Sequence, residues 1–130
     1  MEAKTGATKA GDWRNYQRTL LPAVKNLHHL DVYEANGGYT ALRETVKEGK
    51  WTPTTLTDEV KKSNLRGRGG ASFPTGLKWT FMPPVDPEVP RFLCCNGDES
   101  EPGTFKDRQL MEYNPHLLFE GIVLANFAMS

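Results

Sequence analysis

Between Leu65 and Met82 the chain reads LRGRGGASFPTGLKWTFM, in which four glycines, two arginines and a lysine are set among aromatic residues. Side chains this small leave consecutive backbone N–H groups from Gly67 through Arg68 and Gly69 to Gly70 open to an anion, and Arg66, Arg68 and Lys78 add positive charge. An arginine grips a phosphate through two parallel N–H bonds, and Phe73, Trp79 and Phe81 offer flat faces on which a ring could stack. The combination suits a phosphorylated, aromatic cofactor. A plain surface turn, with solvated arginines and aromatics that belong to a core, is the competing reading.

Neither standard glycine motif accounts for this loop. A dinucleotide fingerprint beginning at Gly67 requires glycine where Ser72 stands, and it follows a strand, whereas this loop follows a helical pattern. A phosphate loop needs Gly-Lys-Ser/Thr, but Leu77 separates Gly76 from Lys78 and no hydroxyl follows the lysine.

A second cluster lies in NGDESEPG: Asn96, Asp98, Glu99, Ser100 and Glu101. Carboxylates accept and an amide both donates and accepts, so these groups could receive the hydroxyls of a ribose or ribityl chain and the imide edge of a flavin. Oxygen ligands this closely spaced could instead hold a divalent cation, although no calcium-loop spacing is present. An exposed acidic turn closed by Pro102–Gly103 is the plain alternative. His28 and His29 are neighbours that would diverge on a helix and are read as surface or capping residues. No Ser/His/Asp set supports hydrolysis, and no metal is expected on this segment.

The elements that must place these clusters follow from local pattern. Residues 1 to about 12 are small and polar and read as flexible, and residues 1–36 as an extension with a lead-in that is extended from Asp31. A Gly37–Gly38 turn then starts a short helix Tyr39–Lys47 with Tyr39, Leu42 and Val46 on its apolar side, closed by Gly49. A second helix is expected from Thr55 or Thr57, with Asp58 and Glu59 at its start and Lys61 and Lys62 near its end. Arg91–Cys95 (RFLCC), bounded by Pro90 and Asn96–Gly97, reads as a buried strand that delivers the acidic turn, with both cysteines in the core. A helix over Phe105–Tyr113 and another capped by Asn114 with Pro115 as its first residue complete the pattern. The expected class is α/β, with the strand central to a fragment of a larger sheet. The last helix runs apolar to Met129 without a cap, which leads to the expectation of a longer protein.

Composition narrows the partners. Lys+Arg and Asp+Glu both number 16, so no basic footprint for nucleic acid or a charged membrane exists. The two adjacent cysteines point to a reducing compartment rather than a disulfide framework, and two thiols cannot complete an iron–sulfur cluster. The most apolar run, Leu117 to Met129, contains Glu120 and falls short of the ~20 residues of a membrane span. The expectation is a cytoplasmic chain without direct membrane insertion.

Taken together, LRGRGGASFPTGLKW, NGDESEPGTFKDR and NPHLLFEGIVLANFAM resemble the N-terminal part of the NADH-binding flavoprotein subunit of respiratory complex I, from about Gly37 to Ser130. The resemblance implies that residues 37–130 form the first part of an FMN- and NADH-binding domain. It places Gly67, Arg68, Gly69, Gly70, Lys78, Asn96, Asp98, Glu99 and Ser100 at flavin-binding positions, Phe73 and Phe81 on either side of the adenine, and Glu101 against the nucleotide. No residue of the chain is then catalytic in its own right, since hydride passes from NADH to FMN. The resemblance further implies a 4Fe-4S cluster in the full-length subunit but not ligated here, a thioredoxin-like 2Fe-2S partner subunit, other peripheral-arm subunits, and a place on the inner face of the cell membrane. A diaphorase subunit of an NAD-linked hydrogenase or formate dehydrogenase, and a stand-alone nucleotide-binding or interaction module, are the alternatives. Three departures stand out: Ser72 and Asn64 replace glycines, and Gly97 replaces alanine.

Overall fold

The computed structural model describes residues 19–130. The expected flexibility of the first dozen residues lies outside that range. The described chain is helical: α1 (Leu30–Ala35), α2 (Thr40–Leu42) widening into a π-helical turn over Arg43–Lys47, α3 (Pro53–Lys62), α4 (Thr75–Trp79), α5 (Lys106–Tyr113) and α6 (Pro115–Met129). No helix among these residues is long and apolar enough to cross a membrane.

The start of α3 shows how local sequence sets an element. Thr52 accepts a hydrogen bond from the Thr55 amide at 3.2 Å, and the Thr55 hydroxyl accepts from the Thr52 amide at 2.8 Å. With Pro53 at the first helical position, the missing N–H of proline falls where no intrahelical partner exists. The helix therefore begins at Pro53, earlier than the Thr55 or Thr57 start expected from its acids, and ends at Lys61–Lys62 as expected.

α4 packs back against α3 at Gly76, where a Cβ would lie 2.7 Å from the Lys61 backbone nitrogen, so only glycine permits this approach. α6 contacts α2 and α3 and follows α5 after the single buried residue Asn114, whose side-chain amide donates to the Leu20 carbonyl at 2.8 Å. Among the described residues only Leu27 and Tyr33 are buried apolar side chains, so the helices are held more by specific polar links than by a broad core.

The strongest of these links is Glu120. It is 7% exposed, and its carboxylate accepts from the Tyr33 hydroxyl at 2.7 Å, the Tyr39 amide at 3.0 Å and the Leu42 amide at 3.1 Å. Tyr39 sits in the left-handed region (φ 58°) just ahead of α2 and gives the helix no side-chain cap, so the carboxylate from α6 satisfies the first free amides. The Tyr39 hydroxyl lies 2.9 Å from His116 Nδ1, and His116 Nε2 is 3.2 Å from the His28 carbonyl. A carbonyl only accepts, so in the neutral ring Nε2 carries the proton and Nδ1 accepts from Tyr39.

Several expectations change. Leu30–Ala35 is helical where an extended lead-in was expected, and in the π-turn Val46 is exposed while Thr45 is buried, its hydroxyl donating to the Ala41 carbonyl at 2.7 Å. The expected strand at Arg91–Cys95 is not formed: Phe92 is 84% exposed, Cys94 and Cys95 are exposed, and the α/β class is not realised in residues 19–130. A strand exists only through hydrogen bonds to a neighbour, and the described residues supply none beyond the isolated Arg66–Pro74 bridge. Arg91 nonetheless anchors the start of this segment by donating to the Met129 carbonyl at 2.6 Å and to the Pro83 carbonyl.

Candidate functional site

The glycine-rich loop is a closed hairpin-like turn. Gly67 N–H donates to the Phe73 carbonyl and Thr75 N–H to the Leu65 carbonyl, both at 2.9 Å, and the Arg66 guanidinium reaches the Ser72 carbonyl at 3.2 Å. Gly67 is therefore not a free donor, contrary to the expectation of four consecutive open amides. The N–H groups of Arg68, Gly69 and Gly70 have no protein acceptor among the described residues. Gly70 (φ 104°) and Ser72 (φ 51°) turn the chain in the left-handed region, and Asn64 (φ 55°) does so at the end of α3. Two of the three departures in the sequence thus fall at positions whose backbone favours glycine. At Gly97 an added Cβ would meet Met111 Sδ at an ordinary 3.6 Å, so alanine and glycine both fit there.

The acidic turn is built by its own side chains. Asn96 Oδ1 accepts from the Asp98 amide at 2.9 Å, and the Ser100 hydroxyl donates to Asp98 at 2.7 Å. Pro102–Gly103 form the corner of a reverse turn with Gly103 at φ 80° and a 3.1 Å bond from Thr104 N–H to the Glu101 carbonyl. Glu99 behaves differently from its neighbours. Its side chain is only 10% exposed, and its oxygens accept from the Asp107 amide at 2.9 Å and the Arg108 amide at 3.2 Å. It caps α5, whose own N-cap residue Phe105 makes no side-chain bond.

These two segments, remote in sequence, meet at a cleft of about 550 Å³ lined by Arg68 and Gly69 on one side and by Asn96, Asp98, Glu99, Ser100 and Glu101 on the other. Thr104, Lys106 and Asp107 complete the lining; they lie outside both sequence clusters, although they continue the same NGDESEPGTFKDR stretch. Lys106 donates to Asp107 at 2.6 Å and lies 3.8 Å from Glu99; its ammonium is held above its ordinary pKa chiefly by the bond to Asp107. The cleft thus offers open amides and a guanidinium facing an Asn96 amide and the Glu101 carboxylate, a donor and acceptor set that fits a phosphorylated, hydroxyl-bearing ring compound, in a volume usual for such ligands.

Gly67, Gly70, Lys78, Phe73 and Phe81 are not part of this lining. Lys78 is exposed on α4. Phe73 and Phe81 stand 6.0 Å apart at 58°, in direct contact, so a ring stacked between them requires the pair to part. His28 and His29 are exposed with ring centroids 4.3 Å apart rather than divergent, and no group of three or more metal-ligating residues assembles among the described residues.

Comparison with known proteins gives a consistent set of relatives. Residues 60–130 match the family described as the Nuo51 FMN-binding domain. The chain is 55% identical over 106 residues to an NADH-quinone oxidoreductase subunit of Rhizobium meliloti (strain 1021), covering 82% of this chain and 24% of that protein. It is 50% identical over 112 residues to the corresponding NADH-quinone oxidoreductase subunit of Aquifex aeolicus (strain VF5), covering 85% and 25%, and 47% identical over 100 residues to that of Escherichia coli (strain K12), covering 77% and 22%. The chain spans about a quarter of the length of these relatives.

Proposed function

The chain belongs to the Nuo51 FMN-binding domain family, and from that premise we propose that it supplies one wall of the FMN and NADH pocket in the flavoprotein subunit of an NADH-quinone oxidoreductase. The observation that carries this reading is the cleft in which Arg68 and Gly69 face Asn96 to Glu101. Bound FMN would supply the redox chemistry, accepting hydride from NADH and releasing electrons singly to iron–sulfur centres.

The chain's own residues bind and orient. The Gly69 amide and the Arg68 side chain in the cleft, with the open Gly70 amide next to its lining, favour negative charge, Asn96 Nδ2 donates to a ring carbonyl or hydroxyl, and Asp98 and Ser100 hold Asn96 in its turn. Glu101 accepts nucleotide hydroxyls, Phe73 and Phe81 give a stacking surface for adenine, and Lys78 adds positive charge at the rim. Residues 37–130 are in this reading the first part of an α/β domain, and Phe92–Cys95 becomes a strand when segments present in the longer relatives pair with it. The 2Fe-2S partner subunit, the 4Fe-4S cluster and a peripheral position on the membrane complex belong to the same proposal.

The test is FMN content and NADH oxidation in the assembled flavoprotein. Asn96→Ala is expected to weaken FMN binding about fivefold, the worth of one hydrogen bond. Unchanged FMN content together with unchanged NADH oxidation would count against the site. The 130 residues alone should bind FMN weakly, and a stoichiometric yellow product would show that the other walls matter little.

A further inference from the structure

We infer that Glu99 is a positioning residue, which sets the nucleotide-facing Glu101 by capping α5, rather than a direct ligand of the cofactor. The inference rests on the reading of the cleft as an FMN and NADH pocket and goes beyond it. Both Glu99 oxygens are already engaged, at 2.9 Å with the Asp107 amide and at 3.2 Å with the Arg108 amide, and the side chain is nearly closed to solvent. These amides are the second and third of α5, among the donors a helix start leaves unpaired, and Phe105 at the N-cap offers nothing to them.

The consequence is a loop closed at both ends. Glu99 ties its beginning to α5, and inside it the Glu101–Thr104 turn, with Gly103 at φ 80°, fixes the direction in which Glu101 leaves the backbone. Glu101 itself has no side-chain partner among the described residues and lines the cleft. If the cap is lost, the loop opens and Glu101 is presented less often. That reduces binding of the nucleotide more than the hydride step, which depends on the flavin ring.

The design of the test separates a cap from a ligand. Phe105 is 58% exposed and outside the cleft lining, so Phe105→Asp offers a local cap without restoring a carboxylate at position 99. The cap requires the residue to turn from its present φ −150°, ψ 15° to the extended backbone of a capping residue, which amide exchange reads directly. In the assembled flavoprotein, Glu99→Ala is expected to raise the KM for NADH about fivefold, as for one lost helix cap, with a smaller change in kcat. Glu99→Ala combined with Phe105→Asp should return KM to within about twofold of the parent, since Asp is among the best N-caps. Hydrogen exchange at the Asp107 and Arg108 amides should follow the same order, with Glu99→Gln intermediate. KM that stays high while amide protection is restored, or KM that fails to track protection across the set, would overturn the positioning role. A parent protein without FMN or NADH oxidation would instead sink the functional reading, and the exchange series would still report the cap.

Discussion

Tyr33 and Glu120 lie 87 residues apart in sequence and are joined by a 2.7 Å hydrogen bond inside the protein. The carboxylate that receives this hydroxyl also takes two amides at the start of α2, so one side chain of α6 fixes both the helix before the Gly37–Gly38 turn and the helix after it. Glu120 and Glu99 therefore solve the same problem at two places. Each supplies from a distance the cap that a helix lacks in its own sequence.

The Tyr33 hydroxyl is pushed well above its ordinary 10.0, first by burial and then by its bond to Glu120. A folded-state value above the unfolded one means the native state holds this proton more tightly, so the contribution is complete below pH 10.0 and is lost as pH rises beyond it. Tyr33→Phe is expected to cost about 1.5–3 kcal/mol at neutral pH, the range for a bond to a charged group. It should also flatten the alkaline fall in stability by Tyr33's share, leaving that of Tyr39, which burial raises in the same direction. Urea melts from neutral pH to above 10.0 measure both effects, and an unaltered alkaline slope would contradict the assignment.

Ser72 holds a left-handed backbone with φ 51° in the loop that faces the acidic turn. That conformation costs a non-glycine residue about 1–2 kcal/mol, while glycine gives back roughly 0.5–1 kcal/mol through its freer unfolded chain. Ser72→Gly is therefore expected to stabilise by about 0.5 kcal/mol, read as a higher denaturation midpoint. A lower midpoint would mean that the Ser72 side chain makes up for the strain.

Cys94 and Cys95 are both exposed on the extended segment between Arg91 and the acidic turn. In the 130-residue chain both thiols should react with a maleimide under native conditions nearly as fast as in denaturant. Strong protection of either would show that this segment is covered or paired.

Residue type and spacing alone settle the parts of this protein whose causes are local. The acidic turn and its Pro102–Gly103 corner, the lysine-rich end of α3 and Pro115 at the start of α6 depend on neighbours a few residues away, and each was legible on that basis. The donor-rich and acceptor-rich composition of the two clusters was legible in the same way. Packing sets whether and how they meet: Arg68 and Gly69 share a cleft with Asn96 to Glu101, whereas Lys78, Phe73 and Phe81 lie outside its lining. Packing also makes Glu99 and Glu120 remote helix caps, which no periodicity announces because the amides they serve belong to other elements. The strand expected at Phe92–Cys95 marks the same boundary from the other side. An apolar run states a preference for extension and burial, but strand formation needs the backbone of a neighbour, and the described residues do not bring one there.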